Sequence, residues 1–503
     1  MMNNSNNIII RLAAVIAAAF MLASCLEKIP GDYIPEEEGM QTLPDAEQTL
    51  TGIYSAYMSG SLYSGLLSLL PDIQTDLVYA VQGNSNTYGT HWLWDIRSTN
   101  AEIESVYGAL YRVIGRCNFY LDQVDALRES LTVDEDIQTL DYYTGEVYCA
   151  RALAYSELIK CFCKAYDPAT ADKELGVVLA DTYFGEMPKS RASLKESYEF
   201  VLEDLAKAEE MLDEENDWYS AVYFTQAAAH AIHARVALYM QDWDAAIEHS
   251  SKLINRTDVF RLATTDLYSG SQNYIDYMWS NDVSFEIIWK VGFTVTSYGG
   301  ALGQVFLNFN NDYTYFYPDY VPAQWALNLY APNDARYNAY FYTGQTGYPH
   351  QLTWPLLVKY YGNEQFMANM IYHVNMPKPL RLAEQYLIRA EAYCRKGQYS
   401  AGAADIAALR NARYTGSASA SMNAENWLQT ISDERVRELY MEGFRLQDLK
   451  RWNKGFERTP QSFTQKEGSS LKIEAGNPLF VWPIPQNELE APGAEILPNE
   501  SNR

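Results

Sequence analysis

The sequence has few basic residues and few cysteines, and each shortage argues against a class of protein. Its 503 residues include 38 Lys and Arg against 64 Asp and Glu, which gives a net charge of −26. A nucleic-acid-binding surface needs clustered basic side chains, so we expect no nucleic-acid partner. Of the six cysteines, five follow position 100 without paired spacing. We therefore expect buried thiols rather than a disulfide framework.

The sequence also lacks strong catalytic motifs. It contains no HExxH, no GxSxG and no P-loop pattern. His230 and His233 lie three residues apart on a predicted helix, but a zinc site would need further ligands, so packed core histidines are favoured. Among 64 acidic residues, no carboxylate pair stands out as the acid and nucleophile of a glycosidase. We expect no catalytic residue, no metal and no cofactor.

After its N-terminus the chain has no apolar run long enough to span a bilayer. At the N-terminus, Arg11 precedes a twelve-residue apolar run from Leu12 to Ala23, which is followed by Ser24 and Cys25. This run is too short for a mature transmembrane helix and is typical of a signal peptide. Its Leu-Ala-Ser-Cys ending resembles a bacterial lipobox. The resemblance implies cleavage before Cys25 and acylation of its thiol, whereas the alternative is an ordinary signal peptide with an unrelated cysteine.

Much of the remaining chain has the periodicity of amphipathic helices. Apolar residues recur at spacings of three and four from Ile103 to Val124. Further along, Ser193 and Glu196 have the spacing of a capping box, in which each side chain binds the backbone amide of the other residue. These patterns predict a mostly α-helical protein.

Two segments repeat each other and predict paired helices. They begin at Ala234 and Ala390, and each has a helix, a polar break, an aromatic residue and a second helix. The aromatic residues are Trp243 and Tyr399, and a small residue follows each one three positions later. This pattern resembles the tetratricopeptide repeat. Because two copies are too few for a stable array, we expect degenerate copies near residues 98–128 and 141–164.

The segment between the two repeats is rich in aromatic residues. Between Tyr274 and Tyr361, 24 of 88 residues are aromatic, about twice the fraction in the whole chain. Gly and Pro interrupt this segment, so it predicts irregular, loop-rich structure with short strands such as "SFEIIWKV". Loops on a rigid helical frame commonly carry binding residues.

Near the C-terminus, "ERVRELYMEGFRLQDLKRW" places opposite charges three residues apart. These spacings predict a helix with the pairs Glu434–Arg437, Arg435–Glu438, Glu442–Arg445 and Arg445–Asp448. Because the charges compensate one another, a structural role is favoured over a catalytic one.

The same segment resembles the signature of the SusD/RagB family. The matching positions are Glu434, Arg435, Glu438, Leu439, Glu442, Gly443, Arg445, Asp448, Leu449, Arg451 and Trp452. "RLAEQYLIRAEAYCRKG" from Arg381 resembles the family's repeat helix, and "FVWPIPQNELE" from Phe480 resembles its W-P-I-P ending. After that ending the chain departs from the family pattern.

The resemblance implies both an architecture and a function. Members are non-enzymatic lipoproteins on the surface of the outer membrane, held there by the lipid anchor. They have a tetratricopeptide-like helical scaffold, bind nutrient oligomers and deliver them to a SusC-like TonB-dependent transporter. The shared motifs belong to the scaffold, so they identify no ligand residue. The middle of the chain also resembles the RagB-like branch, so an oligosaccharide and a peptide both stay open as ligands. A secreted glycoside hydrolase is the disfavoured third alternative.

Aromatic side chains are the candidates for the ligand surface. A flat ring covers the apolar face of a sugar, and nearby amide, carboxylate or hydroxyl groups bind its hydroxyls. Rings and polar residues occur together in residues 86–95 and 298–325. The alternative is that a given ring packs in the core or contacts the transporter. The candidates are Trp92, Trp94, Tyr298, Tyr313, Tyr315 and Trp325.

These observations predict five regions in the chain. Residues 1–24 are the signal peptide, and 25–45 are the lipidated tether. A helical scaffold is expected over 46–270, an aromatic-rich ligand-binding region over 271–375, and a helical repeat with the signature over 376–503. The predicted fold is mostly α, with a large loop-rich insertion that carries the binding surface.

Overall fold

The computed structural model of the protein describes residues 39–309, 315–347 and 352–502. The predicted lipidation site Cys25 and the candidate ring Tyr313 lie outside these ranges. Within them, the fold is mostly helical, as the sequence predicted.

The first half of the chain forms helices of 4 to 30 residues. They are α1 Leu43–Tyr57, α2 Leu66–Ile73, α3 Gly89–Trp92, α4 Ala101–Ser130, α5 Asp134–Phe162, α6 Leu194–Met211, α7 Gln226–Met240 and α8 Trp243–Asn255. The capping box at the start of α6 is confirmed, because the Glu196 amide donates to Ser193 Oγ at 3.1 Å and the Ser193 amide donates to Glu196 Oε2 at 2.8 Å. The expected degenerate helix pair is present as α4 and α5, which pack against each other.

Further helices and small sheets make up the aromatic-rich part and the C-terminal part. The helices are α9 Tyr274–Asn281, α10 Gln304–Leu307, α11 Gln324–Leu327, α12 Ala335–Tyr340, α13 Glu364–Met367, α14 Leu382–Arg395, α15 Tyr399–Arg413, α16 Trp427–Glu438, α17 Arg445–Arg451 and α18 Gln486–Leu489. The strands are β1 Val78–Ala80, β2 Leu267–Ser269, β3 Gln272–Asn273, β4 Ile287–Trp289, β5 Tyr320–Pro322, β6 Phe341–Gln345, β7 Thr353–Leu357, β8 Leu380–Arg381, β9 Phe456–Glu457 and β10 Lys472–Ile473. They form two-stranded antiparallel sheets, which pair β1 with β5, β2 with β3, β4 with β8, β6 with β7 and β9 with β10.

The two repeats are neighbours in space although they are far apart in the sequence. Helices α7 and α8 form one pair, α14 and α15 form the other, and α8 packs on α14. A β-carbon at Gly402 would lie 2.7 Å from the Ala390 carbonyl oxygen, so a small residue is needed where the second pair closes. The aromatic-rich segment is therefore an insertion in a continuous helical array.

The inserted segment is more ordered than its Gly and Pro content predicted, because many of its rings fill a second hydrophobic core. Buried rings from α9, α12, β5 and β6 pack there with β1 and with Tyr440 of the signature segment. The rings at its centre are Trp279, Tyr320, Tyr340, Phe341, Tyr360 and Tyr440. The unusual aromatic content thus supplies the apolar area that short elements need for burial.

The signature segment does not form one helix. Helix α16 ends at Glu438, and α17 begins at Arg445 after a break with φ angles of 59° at Met441 and 85° at Gly443. Asp72 stabilises this break by accepting the Gly443 amide at 3.0 Å and the Arg445 amide at 2.8 Å. A β-carbon at Gly443 would lie 2.7 Å from a backbone oxygen of α2, so glycine is required there.

Most of the charge pairs predicted in this segment are wrong, because their side chains have other partners in the structure. The Glu434–Arg437 pair is confirmed at 2.6 Å. Arg435 instead contacts Asp448, and the partner of Arg445 is Asp76. Because the break turns the chain, these side chains reach other elements rather than neighbours on one helix face.

The buried cysteines agree with the sequence-based prediction. Each of the five cysteines that the structure describes is a buried free thiol. Burial raises the pKa of the Cys117 and Cys149 thiols above the ordinary range, so they are packing groups rather than nucleophiles.

Candidate functional site

A cavity of about 690 Å³ lies where the inserted segment meets the C-terminal part of the chain. We call it the tryptophan cavity, because Trp325 and Trp354 both line it. Its volume is in the range of small-ligand sites. The polar residues of its lining are Asp76, Gln324, Asn328, Glu457, Thr459, Gln461 and Ser462.

Local structure places the amides along one rim of the cavity. Pro322 ends β5, and α11 then begins at Gln324. The Gln324 side chain donates to Asn328 Oδ1 at 2.9 Å, and both residues are exposed. The Gln324 backbone amide donates to Gln461 Oε1 at 2.7 Å, which connects α11 to the opposite loop. Amide groups that can both donate and accept therefore lie in the lining beside Trp325.

The indole of Trp325 is held in place by the signature segment. Its Nε1 donates to the Asp76 carbonyl oxygen at 2.7 Å. The Arg445 guanidinium lies 5.4 Å from the ring centroid and binds the Asp76 carboxylate through two contacts of 3.1 Å. Burial lowers the pKa of Arg445, but Asp76, Asp448 and Asp72 together raise it, so the net shift is upward and Arg445 stays charged. Trp325 is half-buried, so part of the ring is accessible.

Trp354 and Tyr79 complete the aromatic part of the lining. Trp354 lies on β7 opposite Gly344 of β6 and is half-buried. The Tyr79 ring is buried, and burial raises the pKa of its phenol, so the hydroxyl stays protonated at neutral pH. Trp354 was missed because the candidate rings came from residues 86–95 and 298–325, and its stretch, "LTWPLL", lies outside both. The sequence signal that could have indicated Trp354 is a tryptophan next to a proline, here Pro355, in a short strand.

The cavity combines apolar ring faces with a polar rim. Such a lining suits a ligand that presents both apolar C–H faces and hydroxyl or amide groups. The Asp76 carboxylate is bound by two nitrogens of Arg445, whereas Glu457, the other carboxylate of the lining, is exposed.

Two of the six candidate rings belong to the core. Trp92 is 1% exposed, and the Arg458 guanidinium lies 3.4 Å from its ring centroid. Trp94 is 7% exposed and packs against Phe456 and Phe480. The prediction that Trp92 and Trp94 lie on an accessible surface is wrong, because the chain around residues 73–75 and 456–480 covers both rings.

The other candidates are dispersed. Trp325 lines the tryptophan cavity. Tyr298 is 45% exposed and lies beside Phe366, with a centroid distance of 6.2 Å, away from the residues that line this cavity. Tyr315 is half-buried and is also outside the lining. The structure thus groups one sequence-predicted ring, Trp325, with the unpredicted Trp354.

A second cavity of about 720 Å³ lies at α5 and the loop before α7. We call it the Trp218 cavity. Trp218 is 62% exposed, and its ring stacks on Tyr219 at a centroid distance of 4.9 Å. Burial raises the pKa of Glu146, which lines this cavity, to about 8. The Trp218 cavity has one highly exposed indole, whereas the tryptophan cavity has two half-buried indoles. Because an exposed indole can also stack on a ligand, the Trp218 cavity is the alternative binding site.

Two family models match the chain, one on each side of its middle. The first, described as the SusD family, matches residues 293–494. The second, described as starch-binding and associating with the outer membrane, matches residues 34–238. The chain belongs to the SusD/RagB family. The resemblance of its signature and its W-P-I-P ending is confirmed, since both lie within the first match.

Across the described ranges, no helix is both long and apolar enough to cross a bilayer.

Relatives of the SusD/RagB family are similar to this chain at low identity. SusD-like protein P25 of Formosa agariphila is 22% identical over 306 residues, which cover 56% of this chain and 52% of that protein. The alignment thus spans about half the length of this relative. SusD-like protein P38 of the same organism is 23% identical over 492 residues, which cover 86% of this chain and 88% of that protein.

Solved structures share the fold. A SusD superfamily protein from Bacteroides thetaiotaomicron superposes with a TM-score of 0.77 at 24% identity, covering 91% of this chain and 99% of the other. A SusD-like carbohydrate binding protein from Bacteroides vulgatus superposes with a TM-score of 0.72 at 20% identity, covering 91% of this chain and 98% of the other. The chain therefore shares the overall fold of these solved proteins.

Proposed function

We propose that the protein is a non-enzymatic surface lipoprotein that binds an oligosaccharide in the tryptophan cavity. The observation that carries this proposal is that Trp325 and Trp354 line one cavity together with amide, carboxylate and hydroxyl groups. Indole faces cover the C–H face of a sugar ring, and the rim supplies partners for its hydroxyls. The starch-binding description of the matching family model supports the same ligand class.

An open site of this kind binds with modest affinity. We expect dissociation constants from about micromolar to about millimolar, or about −8 to −4 kcal/mol. Removing one stacking ring should cost about 1–3 kcal/mol of binding free energy. At about 1.4 kcal/mol per tenfold change, such a loss can abolish detectable binding.

Alanine variants of the cavity tryptophans test the proposal. Trp354→Ala and Trp325→Ala should weaken oligosaccharide binding at least about fivefold in calorimetric titration. Trp354→Ala should melt close to the parent, because its ring is half-buried. Trp218→Ala is the matched control, since it removes the same side chain from the competing cavity.

The titrations use α-linked and β-linked glucan oligomers together with a mixed peptide library. Binding of an oligosaccharide by the parent and by Trp218→Ala, with loss in Trp354→Ala, agrees with the proposal. If only the Trp218→Ala variant lost binding, the ligand would bind in the Trp218 cavity instead. Binding of peptides but of no glycan would replace the oligosaccharide with a peptide ligand.

We propose that the chain is anchored in the outer membrane through Cys25 and passes its ligand to a TonB-dependent transporter. The motivation for the anchor is the apolar run that ends in Leu-Ala-Ser-Cys. Intact mass of the membrane-extracted protein should show loss of residues 1–24 and added acyl chains. The Cys25→Ala variant should be absent from the membrane fraction. A soluble product with an unmodified Cys25 would contradict the anchor.

A further inference from the structure

Three histidine side chains converge on one carboxylate oxygen between α6, α7 and α8. Glu209 comes from α6, His230 and His233 from α7, and His249 from α8. The Nδ1 atoms of His233, His230 and His249 lie 2.8, 3.1 and 3.4 Å from Glu209 Oε1. This cluster is far in sequence from the residues of the tryptophan cavity and takes no part in the proposed glycan binding.

Three of these atoms form a nearly equilateral triangle. Nδ1 of His249 lies 3.2 Å from Nδ1 of His230, and the two distances to Glu209 Oε1 are 3.1 and 3.4 Å. Tetrahedral zinc has nitrogen and oxygen ligands at about 2.0–2.2 Å, which places neighbouring ligand atoms about 3.3–3.5 Å apart. The three atoms therefore already have nearly the spacing of one face of a zinc coordination tetrahedron.

Hydrogen bonding within the cluster leaves these three atoms crowded. A neutral imidazole has one N–H and one lone pair. If the Nδ1 atoms of His230 and His249 both carry hydrogens, both N–H groups donate to one carboxylate oxygen while their nitrogens lie only 3.2 Å apart. If either Nδ1 presents its lone pair, that lone pair faces the carboxylate oxygen, which can only accept. In the lone-pair form a cation would satisfy all three atoms.

The surroundings suit a small dication. The side chains of Glu209, His230 and His249 are 17%, 12% and 7% exposed, so the cluster is shielded yet close enough to the surface for a hydrated ion to enter. One carboxylate and neutral imidazoles form a ligand set with one negative charge. Imidazole favours zinc and related transition ions, whereas calcium and magnesium require more oxygen ligands.

His233 supports the other groups from outside the triangle. Its Nδ1 lies 2.8 Å from Glu209 Oε1, and its ring stacks on His249 with a centroid distance of 3.6 Å. A hydrogen bond to a ligating carboxylate orients that ligand, and ring stacking restricts the His249 ring.

We propose that Glu209, His230 and His249 bind a divalent transition-metal ion, with zinc as the preferred ion, and so connect three helices of the scaffold. The sequence showed only His230 and His233, on one helix face. The further ligands that a zinc site needs come from α6 and α8, which the fold brings to that face.

Titration of the mature chain with zinc tests the proposal. After dialysis against a chelator, calorimetry should show one zinc bound per chain, and zinc should raise the melting temperature. Glu209→Gln and His249→Ala should each lower the zinc affinity at least about 100-fold, and His233→Ala about tenfold. Glu210→Gln is the matched control, because it makes the same change at the next, exposed position of α6.

Cobalt provides a second measurement that does not depend on the variants. The cobalt-loaded parent should show the strong visible absorption of a four-coordinate site, and Glu209→Gln should lose it. Calcium and magnesium should leave the melting temperature unchanged. Equal zinc affinity in the parent, Glu209→Gln and His249→Ala would overturn the proposal, as would a parent that binds no zinc.

Discussion

Replacing Glu438 by alanine is expected to destabilise the protein by about 3–5 kcal/mol, more than any other change considered in this molecule except the loss of a large core ring. Glu438 is fully buried and accepts hydrogen bonds from three guanidinium groups. Arg413 donates to both of its oxygens at 2.9 Å, Arg381 donates at 2.9 Å, and Arg336 at 3.0 Å. Its removal leaves these buried cations with too few partners.

The pKa of Glu438 shows how strongly its ionised form is held. Burial alone would raise this pKa, but Arg413, Arg381 and Arg336 together outweigh burial, so the pKa lies well below its usual range. A second buried carboxylate joins the network: Glu286 binds Arg381 at 2.7 Å and Arg413 at 2.8 Å. One carboxylate of the signature therefore connects the inserted segment, the repeat helices and α16.

Urea unfolding at neutral pH measures the effect of Glu438→Ala. Glu425→Ala is the control, because it removes an exposed glutamate near the start of the same helix and should change the unfolding free energy by less than about 0.5 kcal/mol. If Glu438→Ala unfolded at the same urea concentration as the parent, the buried network would not stabilise the fold.

Replacing Trp92 by alanine is expected to cost about 3–5 kcal/mol of stability. The ring is buried between the Arg458 guanidinium, 3.4 Å from its centroid, and the rings of Tyr79 and Tyr320. Arg458 is itself fixed by backbone carbonyls, including those of Trp92 at 2.6 Å and Thr75 at 2.9 Å. Truncation leaves a cavity and removes a cation–π contact.

The same unfolding assay checks this prediction with an exposed tryptophan as the control. Trp218→Ala should unfold within about 0.5 kcal/mol of the parent, because its ring is 62% exposed. If the Trp92→Ala variant unfolded like the parent but lost glycan binding, Trp92 would belong to the ligand surface and not to the core.

Local features of the fold were predictable from the sequence. The capping box at Ser193, the helix pairs around Trp243 and Tyr399, and strand β4 each depend on residues close together in the chain, and periodicity or spacing reveals them. The break after Glu438 was not predictable from the charge pattern, because it depends on Asp72, a residue from the other end of the chain.

Residues that act together through long-range contacts were the ones that sequence reasoning missed. The i+3 spacing indicated Arg445 with Glu442 or Asp448, yet it binds Asp76 and supports Trp325. Composition could not separate Trp92, which Arg458 covers, from Trp325, which stays accessible. In both cases the outcome depends on contacts with a segment that is distant in the sequence: Asp76 for Arg445, and Arg458 for Trp92.

A crystal structure of the protein with the tightest-binding oligosaccharide from the titrations tests the central claim most directly. The account predicts sugar rings in the tryptophan cavity, stacked on Trp325 or Trp354, with hydroxyls bound by rim residues such as Gln324 and Asn328. An oligosaccharide bound in the Trp218 cavity, with the tryptophan cavity holding only solvent, would contradict it.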